Sequence, residues 1–130
     1  MRKYSIPVLF ITALYLVFGC VQSKERVEED TSLYEYGETL FQGSGCVLCH
    51  SIAGEEMYGP SLDSILNQEK TVYRNGTAQV LTIDKAYILR AIKNPDYEKR
   101  EGYQSKKMPK TTLNEEQIEA IAEYLIHLNL

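Results

Sequence analysis

Cys46-Val47-Leu48-Cys49-His50 is the stretch of this 130-residue chain with the clearest chemistry. Two thiols with two residues between them, followed directly by a histidine, form the pattern at which a c-type haem is attached. Each thiol can add across one vinyl group of the porphyrin to give a thioether. The neighbouring imidazole then lies close enough to the ring to reach the iron as an axial ligand. A bare Cys-x-x-Cys also serves as a redox disulfide or as half of a zinc site. Zinc wants a second ligand pair, and the only other cysteine is Cys20 and the only other histidine His127. A thioredoxin-like motif wants alternating strands and helices, which the pattern of this chain does not offer. The residues favour one covalent haem.

An iron held by His50 has a second axial position. The candidates are Met108, Met57, His127, water or nothing. Met57 follows His50 too closely to wrap easily round to the far side of the ring. His127 lies near the chain end, where a surface role is expected. Met108 stands in Lys107-Met108-Pro109, after a loop and just before the last helical pattern.

Several elements must position these groups. The first helix is expected from about Leu33 to Gln42, with Ser32 and Glu35 as a capping-box pair. Leu33, Tyr36, Gly37, Leu40 and Phe41 recur at the helical period and make one face. Gly inside a helix costs roughly 1 kcal/mol relative to Ala, so close approach of another helix is the expected reason for Gly37. Gly43-Ser44-Gly45 breaks the helix and leads into the cysteine motif. Gly59-Pro60-Ser61-Leu62 follows the motif, with a short helix expected over Leu62 to Leu66. Asn75-Gly76 between short alternating runs signals a hairpin near 72–80, unusual in a helical domain. Asp84 caps a helix expected over Lys85 to Lys93, ended by Asn94-Pro95, with Tyr87, Ile88, Ala91 and Ile92 able to face inward. The last helix is expected from Glu115 to Leu128. Asn114 and Gln117 can form its capping box, and Ile118, Ile121, Ala122, Leu125 and Leu128 its apolar stripe.

The N-terminus reads as an export signal over residues 1–19. Arg2 and Lys3 precede an apolar run from Ile6 to Phe18, interrupted only by Thr12, which is short for a spanning helix. Gly19-Cys20 at its end resembles a bacterial lipobox, which would make Cys20 the lipidated first residue of the mature chain. Val21 to Asp30 is highly charged and carries too little apolar surface to fold alone, so residues 20–30 read as a lipidated tether and 31–130 as one folded domain. The expected address is a membrane-anchored lipoprotein facing the periplasm or extracytoplasmic side of a bacterial membrane. With Cys20 on lipid and Cys46 and Cys49 on haem, no thiol is left free in that oxidising compartment.

The whole chain carries a formal net charge of −4. Without Arg2 and Lys3, 12 basic residues face 18 acidic ones, a net charge of −6. Such a protein is not a nucleic-acid binder. Against that background Lys99, Arg100, Lys106, Lys107 and Lys110 gather around Met108 as a local basic patch, suited to an acidic protein partner, with Glu98 and Glu101 set among them to offset it.

The ordered set Gly59-Pro60-Ser61-Leu62, Asn75-Gly76-Thr77, Asp84-Lys85-Ala86-Tyr87-Ile88, Asn94-Pro95, Gly102-Tyr103-Gln104 and Met108-Pro109 resembles the c-type cytochromes. It is most similar to the cytochrome c domain fused to subunit II of caa3-type oxidases. The resemblance covers Gly37 to Leu128 and implies an all-α fold of about four helices around one covalent haem. It implies that the Pro60 carbonyl accepts a hydrogen bond from His50, and that Met108 is the distal iron ligand. It also implies that Tyr103, and less directly Tyr73, reaches a haem propionate. Gly37, Phe41 and Tyr124 would form a tight crossing of the first and last helices. A neutral thioether opposite His50 favours reduced iron and closes the coordination sphere. The implied role is therefore a non-enzymatic single-electron carrier between redox proteins of a respiratory chain, delivering to a terminal oxidase, with no small-molecule substrate. The alternatives are a fixed cytochrome subunit of a larger respiratory complex and, further off, a haem-based sensor or peroxidase. Nothing in the chain corresponds to the copper site of an oxidase subunit II.

Overall fold

The computed structural model describes residues 33–130, so the expected signal, Cys20 and the tether lie outside the described residues. Helix α1 covers residues 33–43. A 3-10 turn, Cys46–Leu48, carries the cysteine motif. It is followed by strands β1 (Glu69–Arg74) and β2 (Thr77–Thr82), helix α2 (Lys85–Lys93), strand β3 (Lys99–Arg100) and helix α3 (Glu115–His127).

The helices begin where local chemistry dictates. Asp84 accepts a hydrogen bond from the Tyr87 backbone N–H and caps α2. Asn114 and Gln117 exchange both bonds of a capping box at α3, and Glu115 and Glu116 complement the positive end of its dipole. Lys85 of α2 bridges Glu119 and Glu123 of α3, while Lys93 reaches Glu115, so charged pairs span both ends of the α2–α3 contact.

The expectation of about four helices and an all-α fold needs two corrections. Residues 62–66 form turns, not a helix. Ser64 and Asn67 hold positive φ values of 51° and 61°, which a helix cannot accommodate. Asn129 competes for the same backbone: its side chain accepts from Ile65 N–H and donates to the Leu62 carbonyl. The second correction is a three-stranded antiparallel sheet of order β2-β1-β3. Its hairpin is longer than the expected 72–80, pairing Glu69 with Thr82 through to Arg74 with Thr77. Asn75 and Gly76, at φ 50° and 80°, supply the left-handed pair that a two-residue turn requires. Strand β3 was not anticipated. Two residues carry no periodicity, and it forms because Tyr73 and Val72 of β1 pair with Lys99 and Arg100.

Phe41, Val72, Ile83, Ile121 and Tyr124 are the largest fully buried side chains, drawn from α1, the sheet, the hairpin exit and α3. Helices α1 and α3 meet at Gly37. A Cβ placed there would overlap the Ala120 carbonyl and sit 2.8 Å from Tyr124 Cβ. The Phe41 and Tyr124 rings pack at 5.6 Å beside it. Absence of a side chain is what lets the two backbones touch. Among the described residues no helix is long and apolar enough to cross a membrane.

Replacing Gly37 by Ala should therefore destabilise the fold by about 3 kcal/mol, the upper range for forced overpacking. A lower denaturant midpoint with unchanged slope in chemical unfolding is the expected result.

Candidate functional site

Helix α1 ends at a glycine turn. Gly45 takes φ 79°, which hands the chain into the 3-10 turn that begins at Cys46. The Cys46 carbonyl accepts from both the Cys49 and the His50 backbone N–H, at 3.2 and 3.0 Å. This single turn sets two thiols and an imidazole along one wall of a cavity of about 440 Å³. That volume lies within the range of small-molecule and cofactor sites. Phe41 of α1, Ile88, Ala91 and Ile92 of α2, and Ile121 and Leu125 of α3 contribute apolar walls. The loop from Tyr103 to Thr111, including Met108, contributes to the lining as well.

The orientation of His50 is set by its neighbours. Its Nδ1–H donates to the Pro60 carbonyl at 2.8 Å. A carbonyl can only accept, so the proton sits on Nδ1, and Nε2 keeps its lone pair. Burial pushes the imidazole pKa down; the bond to Pro60 opposes this, and the Arg100 charge adds to the lowering. Loss of solvent dominates, so the ring is held in the neutral form that can ligate a metal. Gly59 packs flat against it, since a Cβ there would lie 2.5 Å from His50 Cε1. Two backbone bonds, Gly59 N–H to Cys49 and Leu62 N–H to Ser51, each 2.8 Å, fasten this segment to the motif.

Cys46 and Cys49 are half-buried and unbridged. Burial pushes the Cys46 thiol up. Pro60, Tyr103 and Met108 line the same cavity as Cys46, Cys49 and His50, so the structure brings these six residues together. Tyr103 and Met108 are half-buried. Tyr73, Met57 and His127 stand outside the lining. Met57 is largely exposed. His127 donates from Nδ1 to the Glu123 carbonyl and meets the Tyr34 ring edge-on at 5.5 Å.

Two groups escaped the sequence reading. Tyr58 accepts a hydrogen bond from Lys107 N–H at 3.3 Å and lies beneath the Lys106 ammonium at 4.8 Å. It thereby ties the residue before Met108 to the loop that carries Gly59 and Pro60. An isolated tyrosine between Met57 and Gly59 gives no pattern from which this could be read. Glu98, expected to offset surface lysines, is a correction: it is 4% exposed and lines the cavity. Both its oxygens are taken, one by Arg74 at 2.7 Å and the other by Arg90 at 3.3 Å. The basic patch at the cavity rim is accordingly less compensated than the sequence suggests. Lys99, Lys106, Lys107 and Lys110 all contribute to the lining, and among the described residues only Lys99 of these four has a carboxylate in ion-pair range, Asp96.

Among the described residues no three His, Cys, Asp or Glu side chains cluster as a metal site. Residues 34–129 match the family model described as cytochrome c. No curated protein matches the chain.

Gly59→Ala should force the His50 ring off the Pro60 carbonyl and cost about 1–3 kcal/mol. The midpoint of chemical unfolding and the exchange protection of the His50 Nδ1 proton in NMR should both fall. Gly43→Ala is the matched control: a Cβ there meets nothing within 4 Å. It should leave the His50 Nδ1 protection intact and raise the unfolding midpoint, stabilising the end of α1 by up to about 1 kcal/mol.

Proposed function

Because the chain belongs to the cytochrome c family, whose members carry covalently bound haem c and transfer electrons, we propose that it is a membrane-tethered, mono-haem carrier with His50 and Met108 as axial ligands. It passes single electrons along a respiratory chain to a terminal oxidase. The observation that carries this reading is the shared cavity, which Cys46, Cys49, His50 and Met108 all line, with the His50 Nδ1 proton committed to Pro60 and Nε2 left as the ligating nitrogen.

The residues fit the group the family implies. The apolar walls suit the faces of a porphyrin, and the cationic rim suits its carboxylates. When bound, the haem supplies an iron that cycles between ferrous and ferric states. Cys46 and Cys49 would hold it through thioethers. His50 would offer Nε2 to the iron, its basicity raised by the Nδ1–H bond to Pro60, as second-shell acceptors do for ligating histidines. Met108 would offer its thioether to the iron as a second ligand, a neutral donor that favours the reduced state. The apolar walls from α2 and α3 would shield the bound group from water on their side. Tyr103 stands in the lining where its hydroxyl can meet a propionate.

The rim lysines support docking on an acidic partner, with attraction that weakens as salt screens it. The leader pattern and Cys20 support anchoring by lipid on the outer side of a bacterial membrane.

The purified protein should be red, with haem that resists acid-acetone extraction. Met108→Ala should lose the six-coordinate low-spin spectrum and the absorption band of the Met–Fe(III) bond; retention of both would remove Met108 from the iron. Partner oxidation that proves indifferent to ionic strength would remove the lysine face from docking. Palmitate labelling of the wild type, absent in Cys20→Ser, is the expected result for the anchor.

A further inference from the structure

Strand β2 is one edge of the sheet, and among the described residues nothing pairs with its outer side. Its free groups can be located from the opposite edge. Thr71 of β1 turns its carbonyl to the β3 side, where it accepts from the Glu101 N–H at 3.0 Å. Thr71 stands opposite Val80. In an antiparallel pair, when one of two opposed residues turns its backbone groups away from the shared ladder, the other does so too. Val80 therefore presents its N–H and carbonyl outward, and so do Ala78 and Thr82, two residues to either side.

The two edges of the sheet are unlike. Strand β3 is two residues long, Lys99 and Arg100, so shortness and charge guard it. Strand β2 runs for six residues with no charge and no proline, and its register against β1 has no bulge. The usual protections of a strand edge are missing from it. Val80 is also 68% exposed. Among the described residues, the large apolar side chains more exposed than this are Leu48, which lines the cavity, and Leu130, the final residue. An exposed valine on an unguarded edge is a ready template for another strand.

We infer that β2 is the interface of a homodimer, pairing antiparallel with β2 of a second copy about a two-fold axis at Val80. The inference does not depend on the haem reading. Outward residues exchange bonds with outward residues, and an axis at Val80 is the register that uses all three. It sets Val80 against Val80 and Ala78 against Thr82 of the second copy. The edge is self-complementary in this register. β-Branched side chains meet at the axis, a favourable cross-strand pair. The charges on the neighbouring strand, Glu69 and Lys70, fall in line with Tyr73 and Val72 of the second copy. No like charges are opposed, although each chain carries a net charge of −4. Two-fold pairing consumes both edges, so assembly stops at two. No residue of β2 lines the cavity, so the dimer leaves each cavity and its basic rim for other partners.

The test uses the full-length protein in mild detergent. Sedimentation should show a reversible, concentration-dependent dimer; a monomer at every accessible concentration overturns the inference. Val80→Lys sets two ammonium groups against each other at the axis and should weaken association about tenfold, with the far-UV circular dichroism of the wild type. Gln42→Lys adds the same charge on α1, away from the sheet, and should associate as the wild type does. Association of Val80→Lys equal to that of the wild type, or equal weakening in both variants, overturns the inference. Added cysteines read the register. Val80→Cys places the paired Cα atoms about 5.5 Å apart, within reach of a disulfide, and should give a reductant-sensitive dimer with diamide. Ala78→Cys is offset from its copy by about 13 Å along the strands and should not. Cross-linking of Val80→Cys no greater than that of Ala78→Cys overturns the two-fold register and assigns the edge to a partner other than a second copy.

Discussion

His50 donates its Nδ1 proton to the Pro60 carbonyl across 2.8 Å, and that bond closes a loop of ten residues onto the cysteine turn. The orientation and tautomer of the imidazole follow from it, because a carbonyl accepts and never donates. So does the choice of glycine at position 59, where any side chain would collide with the ring. The segment that provides the carbonyl is held in turn by backbone bonds to Cys49 and Ser51, so motif and loop form one rigid unit. With its Nδ1 proton committed and its ring packed against Gly59, the imidazole on the cavity wall is held in one orientation, and little conformational freedom remains to be lost on binding.

That unit needs a frame, and the frame has an unusual economy. A domain of roughly 100 residues buries a smaller share of its surface than a larger one does. Here α1 and α3 are locked by direct backbone contact at Gly37, and α2 is joined to α3 by ion pairs at both ends. Several of the apolar core side chains that these helices turn inward, Phe41, Ile88, Ile121 and Leu125 among them, also line the cavity. A porphyrin held in that cavity would extend this core.

The sheet is the feature that distinguishes this chain from a plain helical bundle. Its hairpin carries Arg74, its third strand carries Arg100, and Glu98 ties both to α2. The ion cluster is buried at its acidic centre and partly open at its arginines, the arrangement in which the desolvated charge is fully satisfied while its partners keep some hydration. The loop with Met108 is steadied separately, through Lys107 and the Tyr58 hydroxyl. Both walls that flank the haem motif therefore depend on polar contacts made between segments distant in sequence.

Local chemistry made much of this legible in advance. Capping residues placed the starts of α2 and α3, and Asn75-Gly76 placed the hairpin turn, because each signal acts within a few residues; the bond between His50 and Pro60 was expected from the family resemblance. The membership in the cytochrome c family was readable from the order of those motifs. The expected helix over 62–66 failed because Asn129, more than sixty residues away, takes its backbone groups. Strand β3 and the burial of Glu98 were invisible for the same reason: a two-residue strand has no period, and a carboxylate reads as solvated until two arginines from other elements close on it. By itself the sequence determined the chemistry that the cysteine motif offers and the local geometry of the turns and caps around it. Only the tertiary structure decided which charges face the cavity, because that depends on partners brought together by the fold and on no pattern within any one segment.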